Sequence, residues 1–327
     1  MRLKVKEMSL IKLHMSVIGT LTLMIALSTL FFVILLNIVG VSSLLSIGIL
    51  VVLFNIAQWL FAPYLIGALY KVKEVNRSKS PKLYNMVEKL SNRAGIKMPK
   101  VMLANINIPN AFAYGSPIGG NRVAVTSGLL KELEEEEVEA VVGHELGHLK
   151  HRDVQIMMFA SVLPAIFYFM GYSLMMSSFY GGGRREGGAA PALIGMLCML
   201  LYWVLSLFVL GLSRLREYYA DRESISIVND GARKLSEALA KIVSSTGKYK
   251  MRHKQPASVG SFKSLFIEDP DRSSSDIVQL SKLRRFSSDR QLVQKILTKE
   301  VTLMDRIQEV FSTHPNIVKR IKAMQKV

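Results

Sequence analysis

Gly143-His144-Glu145-Leu146-Gly147-His148 is the stretch from which the rest of the chain can be read. On a helix the two histidines stand about 40° apart around the axis and one turn apart along it. Two imidazoles on one face at that spacing can hold one metal ion, and Glu145, beside the first of them, can act on a water held there. The surroundings suit a helix. Glu132 and the run Glu134-Glu135-Glu136-Glu137 place negative charge near its start, where the helix dipole favours acids. Val138, Val141, Val142 and Leu146 recur at helical spacing and are expected to bury one side. Gly147 lacks a side chain, which lets a neighbouring element come close.

A hydrolytic zinc site keeps three protein ligands and leaves a fourth position for water. His151 falls on the same face, but it lies roughly 7 Å along the axis from the midpoint of the pair, too far for one rigid helix. It reads as a basic residue at the helix end. A better third ligand comes downstream, in Ser213-Arg214-Leu215-Arg216-Glu217-Tyr218-Tyr219-Ala220-Asp221. Glu217 and Asp221 are four apart and share a helix face. Either carboxylate can ligate the metal while the other holds a histidine by its second ring nitrogen. On spacing alone the two also read as a solvated acidic pair neutralised by Arg214, Arg216 and Arg222.

Half of the 327 residues are hydrophobic and the mean hydropathy is +0.27, high for a soluble enzyme. Leu13 to Tyr70 contains no Asp, Glu, Lys or Arg. That is long enough for two membrane-spanning helices of about 20 residues or more each, placed at 15–38 and 43–68 with Gly40 and Ser42-Ser43 at the turn. A signal peptide, with an apolar region of about 7–15 residues, does not fit. A third span is expected over 155–180 and a fourth over 189–212, joined by the glycine- and arginine-rich loop 181–188. Orientation follows from Lys and Arg. Arg2, Lys4, Lys6 and Lys12 precede the first span, Lys71, Lys73 and Arg77 follow the second, Lys150 and Arg152 precede the third, and Arg214 and Arg216 follow the fourth. Arg184-Arg185 is the one contrary pair. The sum puts both termini, the motif helix and Glu217 on the cytoplasmic side.

The net charge of +17 then faces anionic lipid, where a cation near the surface is worth about 1 kcal/mol. No zinc-finger, RNP or helix-turn-helix pattern points to nucleic acid. Cys198, the single cysteine, falls in the fourth span, which excludes an intrachain disulfide and cysteine ligation of the metal.

Together, His144-Glu145-x-x-His148, Glu217-x-x-x-Asp221 and the two hydrophobic spans between them resemble the HtpX family of membrane-embedded zinc metalloproteases. The resemblance covers most of the chain. It implies one Zn²⁺ per chain bound by His144, His148 and Glu217, Glu145 as the catalytic base, and Asp221 orienting the site. Asn110-Ala111-Phe112-Ala113 is similar to the family's edge strand, along which substrate backbone pairs. Ile106, Ile108, Phe112 and Tyr114 fall on alternate positions, as a strand requires. Thr313-His314-Pro315 with Arg320 resembles the family's His-Pro…Arg element, whose histidine lies near the substrate oxyanion; Asn316 stands where a second proline is usual. Tyr218 and Tyr219 are further oxyanion candidates.

The fold class expected is a mainly α integral membrane protein, with four transmembrane helices and a cytoplasmic zincin-like α+β protease domain assembled from two segments. Residues 1–14 form a cytoplasmic N-terminus. The first segment, 70–154, carries short strands near 100–107, 110–114 and 122–126 and the catalytic helix. The second, 213–327, is mainly helical, with an extended, Ser-, Lys- and Arg-rich insertion over 244–288. The partners implied are the lipid bilayer and polypeptides, including membrane proteins, and the activity is proteolytic quality control of misfolded or damaged chains. CAAX prenyl proteases resemble the chain in their zinc motifs but have more spans. A transporter would set ionisable groups inside its spans, which these lack. A non-catalytic zinc-binding scaffold is the remaining alternative.

Overall fold

The computed structural model of the protein describes residues 70–180, 189–252 and 289–326, together with scattered helical positions between 53 and 68. The expected first span and the 181–188 loop lie outside the described residues, as do much of the second span and most of the 244–288 insertion. In chain order the elements are β1 (Val72–Glu74), α1 (Pro81–Ala94), β2 (Lys100–Ala104), β3 (Ala111–Ser116), β4 (Gly120–Thr126), α2 (Ser127–Glu132) and α3 (Glu135–Lys150). There follow α4 (Asp153–Tyr180), α5 (Ala189–Ile227), α6 (Gly231–Arg252), α7 (Asp289–Thr298), α8 (Leu303–Val310) and α9 (Ile317–Met324). The chain divides into two compact units. One contains Gln155–Ser213, and the other joins Leu60–Val154 to Arg214–Val327.

The first unit is built, among the described residues, from the apolar parts of α4 and α5. Both helices are long and apolar enough to cross a membrane. Ile166, Phe167 and Met170 of α4 close on Cys198 and Leu205 of α5. Gly171 and Gly195 meet directly. A Cβ on Gly171 would stand 2.9 Å from the Gly195 carbonyl oxygen, and one on Gly195 3.0 Å from that of Gly171. Small residues permit the close backbone approach that holds helices together in lipid, where no hydrophobic effect drives them. Phe159, Tyr172, Leu193, Met196, Leu200 and Trp203 are each more than half exposed. Apolar surface on that scale calls for a nonaqueous surrounding.

The second unit contains a four-stranded sheet in the order β1-β2-β4-β3. β2 and β4 run parallel, while β1 and β3 are antiparallel to their neighbours, so β3 lies at an edge. β1 was not anticipated, and the strands are offset from the expected ranges. The alternation from Ile106 to Tyr114 is not one strand, because Pro109 has no N–H to give a ladder. The Thr126 hydroxyl holds that segment instead. It donates to the Ile108 carbonyl at 2.8 Å and accepts from the amides of Asn110 (2.9 Å) and Leu129 (3.1 Å), the last of which caps α2.

Helix α3 starts as its acids foretell. Glu134 and Glu137 form a reciprocal capping box, with the Glu134 amide donating to Glu137 Oε2 at 2.8 Å. Glu132, however, ends α2 and does not belong to this start. The expectation of one buried side was too narrow. α3 packs on α1, on β3 and β4, and on α6, so Glu137, Gly143, His144 and Glu145 are buried along with the valines. Lys241 of α6 answers the buried Glu137 at 2.8 Å. α6 itself corrects the insertion boundary. It continues past Ser244 to Arg252 because Ile242, Val243 and Thr246 keep its apolar stripe buried.

At Gly147 α5 comes close against α3. A Cβ there would stand 2.9 Å from Ala220 Cα and 3.1 Å from Ala220 O. Both are backbone atoms, which cannot rotate away. Gly147→Ala should therefore be destabilising. The gain in helix propensity, about 1 kcal/mol, is outweighed by overpacking of about 1–3 kcal/mol, most of all where only backbone can yield. The expected result is a lower thermal unfolding midpoint in detergent and weaker metal retention. A raised midpoint would show that the helices are not held at this distance.

Candidate metal centre

His144 and His148 project from α3 and Glu217 from α5, and one ligand atom from each lies within 4.8 Å of the others. The two Nε2 atoms are 3.1 Å apart, with the rings edge-on at 87°. Glu217 Oε2 lies 3.5 Å from His144 Nε2, and Oε1 lies 3.6 Å from His148 Nε2. Donors at about 2.0–2.1 Å from one tetrahedral ion stand about 3.3–3.4 Å apart. These edges fit such an ion.

The ring orientations are fixed from behind. His144 Nδ1 lies 2.9 Å from Asp221 Oδ1, and His148 Nδ1 lies 2.6 Å from Asp153 Oδ2. A carboxylate only accepts, so His148 Nδ1 carries the proton and its Nε2 turns a lone pair inward; His144 Nδ1 lies beside Asp221 but forms no hydrogen bond of good geometry among the described residues. Two ring nitrogens facing each other at 3.1 Å, with a carboxylate beside both, suit a shared cation. Charge points the same way. Burial opposes a positive charge on His144, yet Asp221 and Glu217 outweigh it and raise its pKa, so the pocket favours a cation. Glu217 Oε2 is buried without a hydrogen bond. The residues present fit a cation held by two imidazoles and a carboxylate.

Glu145 is 3 % exposed. Among the described residues it forms no ion pair. His314 is buried, with Nδ1 3.4 Å from Glu217 Oε1, and neither ring nitrogen has a hydrogen-bond partner among the described residues. Ala111, Phe112 and Ala113 lie on the edge strand β3, which packs against α3, and Asn110 immediately precedes it. Ala111 faces the main core, while Phe112 joins Tyr70 and Tyr114 in a separate cluster on the other face. Tyr219 turns its ring toward His151, 5.5 Å away. His151 caps the C-terminus of α3, and its Nε2 is 3.8 Å from Glu223.

Arg320, grouped with His314 by the resemblance, packs against the two carboxylates of α5. It is fully buried, with Nε 3.0 Å and Nη2 2.6 Å from the Asp221 oxygens and Nη1 3.2 Å from Glu217 Oε2. Its charge is committed to these two carboxylates. Asp153 was missed altogether. Counting along α3 puts it off the histidine face, but Arg152 adopts a left-handed conformation (φ 55°) that turns the chain at the helix end. The first residue of α4 thereby comes behind His148, where Arg216 Nε also reaches it at 3.2 Å. The only trace in the sequence is an acid five residues after the second histidine, at the head of an apolar run.

Paired helical imidazoles, a carboxylate from a second helix and a buried unpaired glutamate beside them define a metallopeptidase, here on a chain with helices that suit a membrane. Residues 77–327 match Peptidase family M48. A protease HtpX homolog of Thermoplasma acidophilum is 36% identical over 299 residues, covering 89% of this chain and 88% of that protein. Protease HtpX homolog 2 of Saccharolobus solfataricus is 36% identical over 301 residues, covering 88% and 87%. The crystal structure of S. mikatae Ste24p shares the fold at a TM-score of 0.53 and 17% identity, covering 96% of this chain and 67% of that one. The chain belongs to the HtpX proteases of peptidase family M48.

Asp153→Asn keeps the shape behind His148 but removes the charge that fixes its tautomer. Loss of such an outer partner typically weakens metal affinity about 10–100-fold. Competition with a chelator should show a fall of that size with the metal:protein ratio still reaching unity at saturation. Unchanged affinity would remove Asp153 from the site.

Proposed function

We propose that this membrane metallopeptidase is a zinc-dependent endopeptidase. It has four membrane spans, at 15–38, 43–68, 155–180 and 189–212, and acts on the cytoplasmic side on misfolded or damaged membrane and cytoplasmic proteins. The observation that carries the reading is the convergence of the two Nε2 atoms with Glu217, on the helix that carries a buried Glu145 with no ion pair among the described residues. His144, His148 and Glu217 hold one zinc ion per chain. Two histidines and a glutamate, with a position left open, are a donor set known from zinc peptidases. When bound, zinc supplies the Lewis acidity that acidifies water and polarises a carbonyl.

The protein's own residues do the rest. The Glu145 carboxylate takes a proton from the attacking water and delivers it to the departing amide nitrogen. Asp221 and Asp153 hold the imidazoles so that Nε2 faces inward. His314 has a ring nitrogen free to donate to the oxygen that gains charge as the carbonyl is attacked. The open edge of β3, from Ala111 onward, pairs with substrate main chain. Only a chain whose backbone groups are uncommitted can pair in this way, and that selects extended or unfolded segments over native ones. The distribution of Lys and Arg around the apolar runs supports the cytoplasmic placement.

Two experiments test this. Glu145→Gln should keep one zinc per chain and the wild-type fold, while turnover of an unfolded substrate falls about 10²–10⁴-fold. Wild-type turnover by the metal-loaded variant would sink the mechanism. In a Cys198→Ser background, a cysteine at Gly182 should react with an impermeant maleimide added outside cells, and one at Asn229 should react only after permeabilisation. The reverse pattern would place the site on the other side of the membrane.

A further inference from the structure

Helix α8 is mounted the wrong way round for a protein in water. Leu303, Met304, Ile307 and Val310, with Phe311 just past its end, are all exposed, Leu303 at 75% and Met304 at 62%. At helical spacing the five fall within an arc of about 120°, one continuous apolar face. The polar side is the one that faces in. Glu309 is buried, accepts from the Asn316 amide at 3.2 Å and pairs with Lys319. Thr302 and Asp305 close the N-terminus with a capping box. At the other end Arg214 Nη1 donates to the Val310 carbonyl at 3.0 Å and to that of Ser312 at 2.7 Å. The helix is therefore firmly held with its oily face outward.

Arg214 identifies what that face meets. It is the first charged residue after the uncharged run that extends from Gly187 through Ser213. A bilayer crossed by that run ends at Arg214, and the same guanidinium is bonded to the last turn of α8. We propose that α8 lies in the headgroup–acyl boundary of that bilayer, with Leu303, Met304, Ile307, Val310 and Phe311 in the lipid. This rests on the reading of 189–212 as a membrane span. A helix of eight residues would bind lipid feebly alone, but tethering to a span makes its insertion intramolecular. Arg306, exposed at the margin of the apolar arc, is placed for anionic headgroups. The consequence bears on the site. Thr313-His314-Pro315 follows directly, so the segment that carries His314 is anchored at the membrane surface on one side and by Arg320 on the other.

The test uses the full chain in phosphatidylcholine–phosphatidylglycerol vesicles, with Cys198→Ser and single cysteines at Leu200, Met304, Ile307 or Gln308 carrying an environment-sensitive fluorophore. Quenching is compared between a nitroxide on the lipid chain and iodide in the buffer. Probes at 304 and 307 should be blue-shifted and quenched several-fold more by the lipid nitroxide than by iodide, while the probe at 308 shows the opposite. Iodide quenching at 304 and 307 equal to that at 308 would overturn the proposal. So would protection from both quenchers, which means that residues 253–288 or a second copy cover the face. Leu200 separates the two levels of the argument. If it is quenched by lipid while 304 is quenched by iodide, only the α8 placement falls; if Leu200 is quenched by iodide, the span falls with it.

Discussion

The site depends on a cation that never touches metal. Glu217 and Asp221 both leave α5 on the same side and both are buried. Two carboxylates brought out of water so close together repel, and each loses hydration worth several kcal/mol. Arg320 makes the arrangement possible, with a bidentate pair to Asp221 and a third nitrogen near Glu217. Its planar fork matches this geometry in a way that a lysine ammonium would not. The rest follows in order. Asp221, fixed by Arg320, fixes His144; Glu217 is left with oxygens turned toward both imidazoles. A residue near the C-terminus thus sets the shape of a site whose ligands lie about a hundred or more positions earlier.

The backbone meets the same demand from the other direction. A carboxylate on α5 reaches imidazoles on α3 only if the helix axes come close, and Gly147 against Ala220 and Gly143 against Ser224 provide the room. The Ser224 hydroxyl, donating to the Ala140 carbonyl at 2.6 Å, adds a polar link where the two helices touch. Small residues recur in the apolar portions, where Gly171 meets Gly195. In both places the absence of a side chain sets the spacing, although only one of them serves chemistry.

The features legible in the sequence were those confined to one helix. His144 and His148 share a face by arithmetic, Glu217 and Asp221 likewise, and the acids before Val138 announce a helix start. The uncharged runs over 155–180 and 189–212 give their helices by length alone. What escaped detection depends on how separate elements meet. Asp153 reaches His148 only through the left-handed turn at Arg152, which no periodicity encodes. Arg320 is an ordinary basic residue of an amphipathic helix until α9 places it against Asp221. The segment after Ala104 alternates like a strand, yet Pro109 and the Thr126 hydroxyl make it a loop, and propensity cannot weigh a side chain 16 residues away against a ladder.

Helix α5 joins these strands of argument. One uninterrupted helix, Ala189–Ile227, carries the uncharged run, then Arg214, then Glu217 and Asp221. Because a helix rises about 1.5 Å per residue, the distance from the end of the uncharged run to the ligand is set by the sequence and cannot drift with a loop. The apolar run and the carboxylate belong to one continuous helix, with no loop between them. Arg214, between them in sequence, donates to the Val310 and Ser312 carbonyls at the end of α8, and His314 follows two residues on. In this chain the residues of α5 before Arg214 pack on α4 and those after it serve the site, so one backbone hydrogen-bond ladder runs through both roles.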